Sequence, residues 1–220
     1  MIKLTDLLEN DILKPRRSPE ERQKNYRIAT QKRIQKYIKD GSKGDLDLSG
    51  TPIKKLPDNL KVSGDLNLYK TPIEKLPDNL QIGDSLDLGD TPIKKLPDNL
   101  KVGGDLDLMD TPIKELPDNL QVGGDLFLTN TSIKELPDNL KVGGDLFLTN
   151  TSIKELPDNL KVGGNLYLPN TPLSKELPDN LQVGGILDLR KTPLSKTYSK
   201  EEIESMIKEK GGYVKRNIIL

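Results

Sequence analysis

The stretch LPDNLKVGGDLDLMDTPIKE, residues 96–115, is one copy of a 20-residue unit that this chain repeats almost unchanged. The motif LPDNL occurs seven times, beginning at Leu56, Leu76, Leu96, Leu116, Leu136, Leu156 and Leu177. The motif L-x-L-x-x-T-x-(I/L) occurs eight times, beginning at Leu46, Leu66, Leu86, Leu106, Leu126, Leu146, Leu166 and Leu187. A fixed period of this length is the signature of a solenoid. We therefore predict a stacked array over residues 44–194, between terminal segments 1–43 and 195–220.

Each part of the unit has its own expected conformation. The two leucines of L-x-L alternate with an outward residue, which indicates a strand, and stacked coils make these strands parallel neighbours about 4.8 Å apart. The following threonine, such as Thr111, ends the strand, and we expect its hydroxyl to bond the backbone in a buried ladder. Pro57-Asp58-Asn59 and its copies predict a second bend, followed by a short extended segment on the back. We expect a left-handed turn at Gly103-Gly104 and its copies.

The pattern L-x-L-x-x-T-x-I-x-x-L-P-x-x-L-x-V resembles the short bacterial leucine-rich repeat. It is similar to the 20-residue, LP-containing type of secreted bacterial effectors, with Thr where that family usually has Asn. The Thr and the Gly-Gly corner also resemble repeats of bacteriophage and environmental bacterial proteins. The resemblance implies a parallel sheet on a concave face, a convex face without helices and gentle curvature. A flattened β-solenoid with two short strands per coil is the alternative fold.

Composition argues against an enzyme. The chain has no Cys and no His, which excludes disulfides, thiolate metal sites and the commonest general base. Some of the secreted bacterial effectors with similar repeats carry a ubiquitin ligase domain with a catalytic cysteine. This chain has no cysteine, so we do not expect that activity here. A calcium-binding Gly-Gly repeat has a period of about nine residues, unlike this one. We expect no catalytic residue, no cofactor and no metal site.

The sequence shows neither a secretory signal nor a stretch that would span a bilayer. We expect a cytoplasmic protein without membrane association, located in a host cell or virion if it is viral.

The N-terminal segment is basic, with twelve Lys/Arg against six Asp/Glu in residues 1–43. Leu4 to Leu13 is a short helix candidate. Ser18-Pro19-Glu20-Glu21 predicts the start of a second helix that ends near Lys39. Its apolar face is expected to cap the array, with a nucleic-acid-binding arm as the alternative interpretation. The cations of that arm are Arg16, Arg17, Arg22, Lys24, Arg27, Lys32 and Arg33, and the apolar face holds Tyr26, Ala29, Thr30, Ile34, Tyr37 and Ile38.

The C-terminal segment predicts a second cap. Ser199-Lys200-Glu201-Glu202 is a capping box, and Gly211-Gly212 is expected to stop the short helix that it begins. Residues 213–220 then predict a terminal strand. Caps are expected because an open solenoid end exposes leucines and unpaired strand edges.

Function in a solenoid is expected at the outward positions of the sheet. The position between the two leucines holds Asp47, Asn67, Asp87, Asp107, Phe127, Phe147, Tyr167 and Asp188 along the array. Consecutive exposed aromatics are typical of binding hot spots. We predict that Phe127, Phe147 and Tyr167 bind another protein. The alternative is a ladder that only stabilises stacking, in a protein that serves as a structural spacer in an assembly.

The surroundings of the aromatic residues are predicted to complete this surface. Thr129, Asn130, Thr149 and Asn150 would form a polar rim, and Asp47, Asp87 and Asp107 an acidic patch for a basic partner. The position before the first leucine is acidic as well, beginning with Asp45 and Asp65. These carboxylates either face a basic partner or cation, or bond the backbone at the corner.

Overall fold

The computed structural model describes residues 18–138, 140–174 and 176–220. They form a parallel β-solenoid of about seven turns of about 20 residues, with a helix at the N-terminal end and a helix followed by strands at the C-terminal end. The predicted helix over Leu4 to Leu13 lies outside the described residues. No helix in the described part is long and apolar enough to cross a bilayer.

The L-x-L segments build a nine-stranded parallel sheet, here called the front sheet. Its strands are Leu46–Asp47, Leu66–Asn67, Leu86–Asp87, Leu106–Asp107, Leu126–Phe127, Leu146–Phe147, Leu166–Tyr167, Leu187–Asp188 and Ile218–Ile219. Each strand pairs with the next one along the chain, in register, so that Leu126 lies beside Leu146 and Leu146 beside Leu166. Coils are numbered below by their front strands, from coil one at Leu46 to coil eight at Leu187.

The extended segments that follow LPDNL also pair, and they form a second parallel sheet of eight strands, the back sheet. Its strands are Lys61–Val62, Gln81–Ile82, Lys101–Val102, Gln121–Val122, Lys141–Val142, Lys161–Val162, Gln182–Val183 and Tyr213–Val214. In these strands the first residue faces solvent and the second faces inward, as with exposed Lys141 and buried Val142. The two short strands per coil are those of the flattened β-solenoid that the sequence offered as an alternative.

The core lies between the two sheets and consists of the same few apolar positions in every coil. In coil five these are Leu126, Leu128, Ile133, Leu136 and Leu140, each less than a tenth exposed. The threonine ladder is confirmed. The hydroxyl of each repeat threonine is buried and donates to the carbonyl oxygen of the leucine three residues earlier, at 2.6–2.8 Å. This bond satisfies a polar group that the core would otherwise bury at a cost.

The prediction of a left-handed turn at the Gly-Gly corners is wrong. Gly103 and Gly104 do not have a positive φ. Glycine is required there by space, because a Cβ added to Gly103 would lie 2.1 Å from the carbonyl oxygen of Gly83 in the preceding coil. Left-handed backbone occurs instead at the corner after the front strand, as at Asp110 and Asn130. Ser63 is tolerated in coil one because the back sheet begins there, and within residues 18–138 no coil precedes it.

The N-terminal helix α1 spans Pro19–Lys39 and begins with the predicted cap at Ser18. The Oγ atom of Ser18 accepts the amide N–H of Glu21 at 3.1 Å. The helix buries only Thr30 and Ile34. Tyr26 and Ile38, which the sequence placed on the apolar face, are 49% and 39% exposed. The interface with coil one is therefore narrower than the amphipathic pattern predicted.

The C-terminal cap has four elements: helix α2 over Pro193–Thr197, helix α3 over Lys200–Glu209 and the last strand of each sheet. The capping box that begins α3 is confirmed. The predicted terminal strand is divided in two, because Tyr213–Val214 continues the back sheet and Ile218–Ile219 continues the front sheet. Helix α2 was not predicted. Ile218 aligns with Leu187, so the cap repeats the core pattern of a coil.

Candidate partner-binding surface

Three aromatic rings form one row on the front sheet. Register places Phe127 beside Phe147 and Phe147 beside Tyr167. The ring centroids are 4.6 Å and 4.7 Å apart, with interplanar angles of 7° and 10°. Each inner ring face is covered by its neighbour, so the row presents ring edges to solvent. We call these three residues the aromatic row.

In the other coils, the position equivalent to the aromatic row holds Asp or Asn. The side-chain oxygen of that residue accepts the backbone N–H two residues later. The pairs are Asp47 with Ser49, Asn67 with Tyr69, Asp87 with Gly89, Asp107 with Met109 and Asp188 with Arg190, at 2.8–3.1 Å. Such Asx turns stabilise a bend locally.

The aromatic row cannot make this bond. A phenyl ring has no acceptor for the N–H of Thr129 or Thr149, and the residue two positions after Tyr167 is Pro169, which has no N–H. Three consecutive coils thus replace a turn-stabilising side chain with a ring that is partly buried and partly exposed. Turn formation does not account for aromatic residues at this position.

The threonines and asparagines of the predicted rim have different roles. Thr129 and Thr149 follow the rings on the same side of the chain and are half-exposed, and among the described residues their hydroxyls have no hydrogen-bond partner. Asn130 and Asn150 adopt φ of 60° and 58°, which Asn tolerates better than most residues. The amide Nδ2 of Asn150 donates to Oδ1 of Asn130 at 2.8 Å. These asparagines are turn residues in an amide ladder, and they border the row with polar groups.

The predicted acidic patch divides into two parts. Asp47 belongs to the N-terminal end, where hydrogen bonds from Ser49 lower its pKa and Arg33 of α1 lowers it further. Asp87 and Asp107 lie in coils three and four, beside the aromatic row. Burial raises the pKa of both carboxyl groups.

Two acids that the sequence did not single out join the second part. Asp90 and Asp110 stand at the left-handed corner, and both raise the pKa of Asp107 by repulsion. The Nδ2 atom of Asn130 donates to Oδ1 of Asp110 at 2.9 Å, which joins the acids to the rim. In the sequence, these two acids could have been found from the corner position that follows each front strand. Along the array this position holds Gly50, Lys70, Asp90, Asp110, Asn130, Asn150, Asn170 and Lys191. We call Asp87, Asp90, Asp107 and Asp110 the acidic cluster.

The acids before the first leucine have a structural explanation. The side chain of each accepts the backbone N–H of the equivalent residue one coil later, as Asp105 does from Asp125 at 2.7 Å and Asp125 from Asp145 at 2.7 Å. The second expectation for this position, a backbone bond, is the one found. No group of three or more acidic side chains in the described ranges is arranged to hold a metal ion.

In coil eight, next to the aromatic row, the residue at the equivalent position forms an ion pair. Asp188 is 1% exposed, and the guanidinium of Arg190 donates to it from Nε at 3.0 Å and from Nη2 at 2.6 Å. No pattern in the sequence indicated that the side chains of Asp188 and Arg190 form a pair. In coils three and four the residues at the position of Arg190 are Gly89 and Met109, so those carboxylates lack a corresponding cation.

Comparison with known proteins adds no assignment. No protein-family model matches the chain, and no curated protein matches it.

Proposed function

We propose that this protein is a non-enzymatic interaction module that binds another protein on its front sheet, over the aromatic row. The observation that carries the proposal is the replacement of the turn-forming Asp or Asn by Phe127, Phe147 and Tyr167 in three consecutive coils. Partly exposed aromatic edges cost solvation and give no turn hydrogen bond, so we explain their placement by a partner that covers them.

The charges beside the row suggest what this partner carries. The acidic cluster adjoins Phe127, and the raised pKa values of Asp87 and Asp107 mean that their ionised forms are destabilised. A cationic side chain would stabilise those ionised forms. Arg190 shows the geometry of such a contact, since its guanidinium donates to the carboxylate of Asp188. The proposed partner places apolar side chains on the ring edges and an Arg or Lys on the acidic cluster.

The same mode of binding is what the resemblance to short bacterial leucine-rich repeats implies. We propose that relationship on the repeat motif, and with it a bacterial or phage origin. Two other functions stay as alternatives, a structural component of an assembly and a nucleic-acid-associated protein. If the protein is a structural component, substitution of the three residues of the aromatic row should change no interaction.

The test uses substitutions to a residue that another coil already has at the equivalent position. Phe127→Asn, Phe147→Asn and Tyr167→Asn convert coils five to seven to the Asn67 pattern, and two of the three restore a turn acceptor. The matched control is Lys141→Glu with Lys161→Glu on the back sheet. Wild type, triple variant and control are used to capture proteins from a lysate of the source cells, and a captured partner is then purified and its affinity measured directly.

We expect the control to bind like wild type and the triple variant to bind at least about tenfold more weakly, as for a hot-spot cluster. Circular dichroism first establishes that all three forms have the same fold. A partner bound equally by the triple variant, or no partner retained by wild type, contradicts the proposal.

A further inference from the structure

A second surface lies at the opposite end of the array, in the loops that connect the front sheet to LPDNL. In coils four to six the two residues before LPDNL are Lys-Glu, at 114–115, 134–135 and 154–155. In coils one to three they are Lys54-Lys55, Glu74-Lys75 and Lys94-Lys95. The loop is thus neutral in coils two, four, five and six and carries two cations in each of coils one and three, although the fold of these coils is the same.

These cations line two connected grooves. The first, of about 530 Å³, lies between α1 and coil one and is lined by Arg27, Thr30, Ile34, Ile53, Lys54 and Lys55 among others. The second, of about 490 Å³, continues along coils one to three past Lys75, Lys94 and Lys95. Lys54 and Lys55 line both, so the grooves form one surface, which we call the cationic groove.

Few acidic side chains neutralise the cations of the cationic groove. Among the described residues no carboxylate lines its first part, and Glu74 is the one acid of its second part. Within the same ranges no salt bridge joins Arg27 or Lys54, Lys55, Lys75, Lys94 and Lys95 to an acid. Unpaired like charges on neighbouring coils repel one another, which an anionic ligand would relieve.

The floor of the first groove is apolar. Ile53 is only partly buried, whereas its equivalents Ile73 and Ile93 are fully buried, because α1 leaves this part of coil one uncovered. Tyr26 stands one helical turn before Thr30, on the same helix face, and its carbonyl oxygen accepts the Thr30 hydroxyl at 2.9 Å. Its ring is about half exposed. The groove therefore combines a row of cations with an apolar floor. The exposed ring of Tyr26 lies outside its lining, one helical turn from Thr30.

We propose that the cationic groove binds single-stranded nucleic acid. Lysine side chains along the array would contact successive phosphates, and the apolar floor with Tyr26 would receive unstacked bases. The outer surface of a duplex offers phosphate and sugar and has no use for an apolar floor, so the single strand is the better fit. This site is separate from the aromatic row and does not depend on the function proposed for it.

The test measures binding of a short fluorescein-labelled oligothymidylate by fluorescence anisotropy over a range of salt concentrations. Lys55→Glu with Lys95→Glu converts coils one and three to the Lys-Glu pairs of coils four to six, at exposed positions where the fold already accepts glutamate. Lys141→Glu with Lys161→Glu on the back sheet changes the net charge by the same amount. Tyr26→Ala tests the stacking of a base, and sodium polyglutamate serves as a competing acidic polypeptide.

We expect Lys55→Glu with Lys95→Glu to weaken binding at least about tenfold and to lower the salt slope by about 0.7 for each phosphate that is no longer neutralised. The back-sheet variant should stay within about threefold of wild type, and Tyr26→Ala should bind about fivefold more weakly or worse. An equal effect in the back-sheet variant, or no binding by wild type, overturns the proposal. Tight binding of polyglutamate with no effect of Tyr26→Ala would assign the groove to an acidic protein. The aromatic-row triple variant should bind the oligonucleotide like wild type.

Discussion

A Cβ atom added to Gly143 would lie 2.0 Å from the carbonyl oxygen of Gly123, the equivalent residue one coil earlier. No rotamer relieves this clash, because both atoms belong to backbone positions that the sheet pairing fixes. The corner glycines therefore set how closely consecutive coils stack.

Gly143→Ala is expected to destabilise the protein by about 1–3 kcal/mol or more, as overpacking of a tight backbone approach does. Ser63→Ala is the control, since Ser63 stands at the same corner in coil one. It removes the bond that the Ser63 Oγ accepts from the Gly44 N–H at 2.8 Å, but it creates no clash. Urea denaturation followed by circular dichroism measures both. A Gly143→Ala variant as stable as wild type would contradict the stacking role.

Thr111→Val tests the buried ladder. The Thr111 hydroxyl donates to the carbonyl oxygen of Leu108 at 2.7 Å, and Val has nearly the same shape without the donor. We expect a decrease of about 1 kcal/mol in the free energy of unfolding, the usual contribution of one such bond. Thr149→Val, at a half-exposed threonine on the front face, should change stability little. Equal effects of the two substitutions would show that the ladder bond contributes nothing.

Asp107→Asn should stabilise the protein at neutral pH. Burial and the neighbouring acids raise the pKa of Asp107, so its ionisation destabilises the folded state at any pH above the folded pKa. That destabilisation disappears as the pH falls below the ordinary carboxyl pKa, where both states are protonated. Asn keeps an acceptor for the Met109 N–H, as Asn67 does for Tyr69. The gain should be below about 1 kcal/mol, because the half-exposed group is partly screened by solvent.

Unfolding in urea at neutral and at acidic pH measures this difference. The stability gap between Asp107→Asn and wild type should shrink as the pH is lowered. A gap that grows towards acidic pH would mean that the ionised form of Asp107 stabilises the fold.

The Asp188–Arg190 pair predicts a coupling that can be measured by a double-mutant cycle. Arg190→Gln leaves the buried carboxylate of Asp188 without its cation and should lower the melting temperature. Asp188→Asn removes the charge but keeps a turn acceptor, so the double variant should melt closer to wild type than Arg190→Gln does. Additive effects of the two substitutions would show that the ion pair does not couple them.

Much of the candidate site followed from sequence because parallel in-register pairing converts a 20-residue spacing into spatial proximity. Phe127, Phe147 and Tyr167 share one position of the repeat, and that alone places them side by side. The roles of Asp90 and Asp110 did not follow, because a carboxylate at a left-handed corner has the same sequence signal whether or not it approaches its neighbours. Asp47 illustrates the same limit. It shares a repeat position with Asp107, but it is more exposed, and hydrogen bonds from Ser49 and then the charge of Arg33 lower its pKa.

Local sequence patterns determined the period, the strand positions, the buried threonine bonds and the helix caps, since each depends on residues close in sequence or on one fixed spacing. Only the tertiary structure decided three further points. The back segments pair into a second sheet, the corner glycines serve close stacking rather than a left-handed turn, and α1 covers coil one incompletely. All three depend on how closely separate segments approach, and a one-dimensional pattern of residue types does not contain that distance.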